Sequence, residues 1–197
     1  FALYFQDEDN ILGTSFMPYL QNVAGLTGVN YRLEPWTYRE DEGCELGNMF
    51  TACVASDSNP VTPTLKAHAG DRVMVNIFGA HNEQNQMFNM DGHQWRRHIN
   101  QEGSDMIDVE EFGGGEYIQA FIKAGGTYNN PGTYLWLNAR TPYQQAGQWG
   151  YFKVLPPGER SILPLGGASS NGVKTASSPQ DDRNVVSKVK EDKLSMR

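Results

Sequence analysis

From residue 61 to residue 156 the chain is written in short apolar runs separated by turn residues. The clearest run covers 72–78, where Val73, Val75 and Ile77 fall on one face and Arg72, Met74 and Asn76 on the other. Such a period of two predicts a strand with one buried face. A companion strand is predicted over 64–67, with Ala69-Gly70-Asp71 as the turn between them. Further strands are expected at 87–90, 105–109, 117–123, 132–137 and 149–155. They are divided by Gly113-Gly114-Gly115, by Gly125-Gly126 and by Asn129-Asn130-Pro131-Gly132. No strong helix is predicted anywhere in 61–156. About seven strands with this punctuation predict an all-β Greek-key sandwich. Ahead of them, residues 2–5 read as a strand and 10–60 as irregular, with Asn30 to Trp36 an ordered connector.

The pattern fails after Pro156-Pro157-Gly158. Residues 160–197 hold no aromatic residue and few large apolar ones, a composition that cannot build its own core. The expected organisation is therefore a lead-in over 1–60, a sandwich over 61–157 and an extended tail over 158–197. The tail is expected to lie on the domain or, in preference, on a partner subunit.

Charge follows the same division. Net charge is -7, but from Arg160 onward seven Lys/Arg stand against four Asp/Glu, leaving -10 for residues 1–159. An acidic body argues against nucleic acid as partner, because phosphate binding needs a concentrated basic face. No run approaches the ~20 apolar residues of a membrane-spanning helix. The chain opens on Phe1 rather than Met, which reads as a processed end. Cys44 and Cys53 are the only cysteines and sit close together in a Gly-containing loop. They could be a redox or metal pair, but the spacing is not CxxC. A loop-stapling disulfide fits better and points to an oxidising compartment, periplasmic or extracellular.

The informative motif is Met87-Phe88-Asn89-Met90-Asp91-Gly92-His93-Gln94-Trp95. It resembles the multicopper-oxidase signature H-P-x-H-L-H-G-H-x-F. Further pieces occur in the family's order: His68-Ala69-Gly70-Asp71-Arg72-Val73, the run from Pro131 to Arg140, and Gln148-Trp149-Gly150-Tyr151-Phe152-Lys153-Val154. The stretch from Asn30 to Trp36, Thr62-Pro63-Thr64-Leu65, and Ala80 to Asn85 are most similar to the large manganese-oxidising branch. The resemblance implies a cupredoxin-like sandwich with copper in the parent family, beside other cupredoxin domains or subunits.

Laid on that signature, the family's ligand positions hold Gln86, Asn89 and Asp91, and the downstream H-x-H pair falls at Asn138 and Arg140. Copper there takes imidazole and thiolate. A guanidinium cannot coordinate and repels a cation, and no Cys follows Cys53. The expectation is a chain with no copper of its own and no catalytic residue. A different metal held by Glu83, Asp91, His93 and His98 was weighed against the simpler reading, in which His93 caps a strand and His98 sits on a loop beside Arg96 and Arg97. His68 is expected at the surface, and Asp105, Asp108, Glu110 and Glu111 on a solvated face. Trp95, Trp136 and Trp149 read as core or interface anchors. Three functions stay open. One is a scaffold beside metal-bearing domains. The second is part of an active oxidase, a manganese-oxidising one included, in which Asp91, Glu83 and the 105–111 acids serve a neighbouring site or a substrate path. The third is a structural protein of a surface layer or filament.

Overall fold

The computed structural model describes residues 1–7, 27–41, 43–50, 59–81 and 84–162. The expected tail over 160–197 lies outside them beyond Ile162, as do Glu83 and Cys53.

Alternation drives the sandwich. In β4 (Arg72–His81) Val73, Val75 and Ile77 are buried, and in β9 (Tyr117–Lys123) Ala120 and Ile122 point the same way. These strands pair antiparallel, Arg72 opposite Lys123 through Phe78 opposite Tyr117. β1 (Ala2–Gln6) lies parallel to β4 and buries Leu3 and Phe5. With β2 (Gly28–Val29) they form one sheet, in the order β2-β1-β4-β9. The facing sheet has the order β3-β11-β10-β5-β8, from β3 (Leu65–His68), β5 (Gln86–Met90), β8 (Val109–Phe112), β10 (Gly132–Asn138) and β11 (Trp149–Leu155). β3 runs parallel to β11, while β10 pairs antiparallel with both β5 and β11. The architecture is an all-β sandwich, as the turn-punctuated pattern predicts.

The core between the sheets is centred on Phe5, whose ring meets Phe88, Phe112 and Trp136 edge-on at 5.3 to 6.2 Å. Trp95, Trp136 and Trp149 are fully buried core residues. Trp136 lies directly over Gly150 on the neighbouring strand, where an added Cβ would collide with the indole. A side chain there cannot be accommodated without moving the core.

One local expectation is corrected and two are refined. The run 105–109 is not one strand: Met106–Ile107 (β7) pairs with Trp95–Arg96 (β6) as a separate ribbon, and β8 begins at Val109 to join β5. A short helix, α2 (Thr141–Gln145), does occur within 61–156. Pro142 in its first turn fits the helix start, and five residues are too few to show a helical period. His68 is half-buried, and its ring lies against Asp71 and the Glu159 carbonyl.

In the N-terminal lead-in, α1 (Trp36–Asp41) packs on the outer face of the second sheet. There Trp36 and Phe50 join Leu135, Leu137, Trp149 and Tyr151 in a second apolar cluster. Arg39 is buried in this layer, paired with Glu34 at 3.3 Å and lying over Trp149.

Candidate functional site

The five positions that the sequence resemblance aligns with ligands separate into two places, for a reason written in β5. Residues 86, 88 and 90 of this strand are buried while 87 and 89 are half-exposed. Gln86 therefore turns into the molecule with Phe88 and Met90, and Asn89 turns the other way.

On the inward side Gln86 meets Asn138, the last residue of β10. Asn138 Nδ2 donates to Gln86 Oε1 and to Gln148 Oε1, the latter at 2.6 Å. Its Oδ1 accepts the backbone N–H of Met87 and of Arg140, at 3.2 and 3.0 Å. Two donated and two accepted bonds saturate a carboxamide. Gln86 Nε2 donates to the buried Asp7 carboxyl at 2.6 Å and to the Gln84 carbonyl at 3.1 Å. Gln148 Nε2 donates to the Gln6 carbonyl at 2.9 Å. The Tyr143 hydroxyl, carried inward by α2, is 3.4 Å from Asp7. Asp7, Gln86, Asn138 and Gln148 are all 2% exposed or less, so the network is sealed from water.

Arg140 closes its rim. The guanidinium donates to Gln84 Oε1 at 3.2 Å and to the Asn85 carbonyl, and lies 5.0 Å from the Tyr143 ring centre. Asp7, Tyr143 and Gln148 are absent from the sequence-derived site residues. No motif or periodicity in the sequence singles out Gln148, and Asp7 is simply the first of the acidic run Asp7-Glu8-Asp9.

On the other side Asn89 and Asp91 border an open cavity of about 540 Å³, with Gln94, Asp108 and Lys123 among its walls and His93 at its base. Asn89 Nδ2 donates to the Asp108 carbonyl at 2.9 Å. Partial burial holds the Asp91 carboxyl above its ordinary pKa, with His93 pulling it back. His93 is only 2% exposed, set between the rings of Tyr134 and Phe152. Its Nδ1 lies 2.7 Å from the Asp91 carbonyl, and its Nε2 accepts the Gly125 N–H at 3.1 Å. That pair of partners assigns the proton to Nδ1 and leaves the ring neutral. Burial lowers the His93 pKa, opposed by the Asp91 carbonyl and the Asp91 charge. Gly125, at φ +81, is the turn that delivers this N–H; a Cβ there would sit 2.6 Å from the Asn130 nitrogen.

Of the residues weighed for another metal, Asp91 and His93 adjoin, whereas His98 borders a separate hollow with Arg97 and Glu110. Among the described residues no three of His, Cys, Asp and Glu gather at one point. Both His93 ring nitrogens are already engaged. The acids at 105–111 do not converge either. Asp108 borders the first cavity, Glu110 lies 3.9 Å from Arg97, and Glu111 accepts from Asn85. Cys44 is buried and is not a free thiol.

No family model matches the chain, and no curated protein matches it. Solved structures do match. The 2F4 variant of McoA multicopper oxidase from Aquifex aeolicus aligns over 79% of the chain at 15% identity and TM-score 0.50. A multicopper oxidase from Campylobacter jejuni aligns over 78% at 12% identity and TM-score 0.49. The fold is cupredoxin-like. Each match spans 29% of the solved chain. Copper would require imidazole or thiolate donors at these positions. The inward set offers saturated carboxamides, one carboxylate and a guanidinium, so these residues do not fit the ion.

Proposed function

We propose that this chain is a copper-free cupredoxin-like domain of a multicopper-oxidase type of assembly, serving as scaffold beside metal-bearing domains. The observation that carries the reading is the closed bond count around Asn138. Every polar atom of that side chain, and of Gln86 and Gln148 beside it, faces a protein partner rather than a gap. Such a network ties β5, β10, β11 and the end of β1 together by hydrogen bonds where metal bonds would otherwise do so. Its expected partners are other cupredoxin domains or subunits, with residues 160–197 as a contact segment. Its expected compartment is periplasmic or extracellular, with Cys44 and Cys53 joined. Among the described residues no helix is long and apolar enough to cross a membrane.

The test is a copper titration of the purified chain, followed by elemental analysis after desalting. Less than one-tenth of an equivalent retained is expected. One equivalent held through desalting and lost in a Gln86→Leu variant overturns the reading.

A second reading draws on the cavity at Asp91. A partly buried carboxyl beside Asp108 suits a group that supports a neighbouring domain's site, including one in a manganese-oxidising enzyme. It predicts that Asp91→Asn lowers turnover of the intact assembly while leaving this chain's fold unchanged. Equal turnover by the variant assembly removes it.

A further inference from the structure

The outer face of the β2-β1-β4-β9 sheet is ordered by row. Pairing places Tyr4, Phe78 and Tyr117 side by side, then Asn76 beside Gln119, then Met74 beside Phe121, then Arg72 beside Lys123. In the first row the rings stack at 4.6 and 4.7 Å. Tyr4 and Met74, on the inner strands β1 and β4, are 43% and 37% exposed, and Tyr117, on the edge strand β9, is 47% exposed. The amide row is organised from within: Asn76 Oδ1 accepts from the Tyr117 hydroxyl at 2.7 Å and from Gln119 at 3.2 Å. At the far end Arg72 lies over Phe121, 4.9 Å from the ring centre.

One end of the face is thus cationic and the other rich in π-electron density. We infer that this face pairs with the same face of a second copy of the chain, antiparallel about a two-fold axis. That axis falls between the amide row and the Met74–Phe121 row, so that Arg72 and Lys123 of each copy lie on the Tyr4–Phe78–Tyr117 row of the other. A parallel arrangement would stack the four cations on each other. The antiparallel one turns them into cation–π contacts, a geometry Arg72 already adopts on Phe121. Two twisted sheets pack well face to face at a small angle. The occupant is a second copy rather than residues 163–197, because that segment has no aromatic residue and six Lys/Arg against four Asp/Glu.

Size sets the strength. With residues 72–78 of β4 carrying the four rows and strands about 4.8 Å apart, the three-strand face measures roughly 24 by 14 Å, on the order of 340 Å². That is below the ~800 Å² per partner of a standard interface, so the dimer is weak and transient. The inference is independent of the copper reading, and the two experiments have separate readouts.

Sedimentation velocity on the full chain from about 5 to about 300 μM is the test, with circular dichroism to show that each variant folds. A monomer–dimer equilibrium in that range is expected. Arg72→Glu and Tyr117→Ser are each expected to raise Kd at least ten-fold, and Lys66→Gln, exposed on β3 of the other sheet, to leave it unchanged. A monomer throughout the range overturns the inference. So does association that neither face variant weakens, since another surface must then carry it.

Discussion

Two ends of one five-residue strand reach opposite chemistry. At Gln86 the side chain enters a dry network in which amides, a carboxyl and a hydroxyl are matched donor to acceptor. At Asn89 and Asp91, a few residues on, the side chains border an open, wet cavity and make few protein bonds. Both regions hold positions that the sequence resemblance aligns with metal ligands. The difference teaches that replacing ligands costs something different on each side of a pleat. A buried position must find protein partners for every polar atom, whereas an open one can leave them to water.

The largest effect is therefore expected at Asn138. Replacing it with Leu keeps the volume but leaves the Met87 and Arg140 N–H groups and the Gln86 and Gln148 amide oxygens without their partner. Each unsatisfied buried group costs about 1–3 kcal/mol, with partial relaxation between them, so a loss of roughly 3–5 kcal/mol in unfolding free energy is expected. Urea denaturation checks it. A loss below ~1 kcal/mol would show that water enters the network freely, and the contrast between the two regions would collapse. A double-mutant cycle with Gln148→Leu sharpens it. Because the two amides share a bond, the paired loss should fall short of the sum by about 1 kcal/mol or more.

His93 stands between the regions, its ring in the core and its neighbour Asp91 on the cavity. His93→Ala removes two hydrogen bonds and the packing between Tyr134 and Phe152, for an expected loss of about 2–4 kcal/mol. The protonation of this ring gives a second measurement. Its folded pKa is lowered by burial, so its contribution is fully present above the unfolded value of about 6.5 and is lost as pH falls from there toward the folded value. Asp91 has the opposite sense. Its folded pKa is raised, so its contribution is present below about 3.9 and lost as pH climbs through the folded value. Urea midpoints are thus expected to fall on acidification below about pH 6.5, and His93→Gln to flatten that fall. An unchanged slope in the variant would place the titrating group elsewhere.

How much of this was readable beforehand depends on distance along the chain. The alternation of Val73, Val75 and Ile77 is a local signal and marks β4 directly. That Gln86 and Asn138 are not copper-ligand residue types was equally plain, because residue type is read directly from the sequence. What these side chains bond to was hidden. Asp7, just past β1, and Gln148, just before β11, reach Gln86 and Asn138 from distant parts of the chain, and a side-chain amide carries no periodicity to announce its partner. Arg140, read as a charge that would repel a cation, turns out to rest on Tyr143 and Gln84. α2, which delivers Tyr143, is one and a half turns long and shows no amphipathic repeat. The Tyr4–Phe78–Tyr117 row was invisible for the same reason, since it joins three strands in register.

The smallest effects belong to the open side, and there the comparison is most easily broken. Asn89→Ala deletes one bond to the Asp108 carbonyl from a half-exposed residue, and water can take its place. The expected cost is about 0.5 kcal/mol, near the noise of surface substitutions. Asp91→Asn keeps the shape and removes a carboxyl that partial burial disfavours when charged, so at neutral pH stability should hold within about 0.5 kcal/mol or rise slightly. If the pair together costs as much as Asn138→Leu, the cavity is holding the fold and not merely bordering it. Its polar walls would then be structural like the sealed network, and the pleat would no longer divide the two.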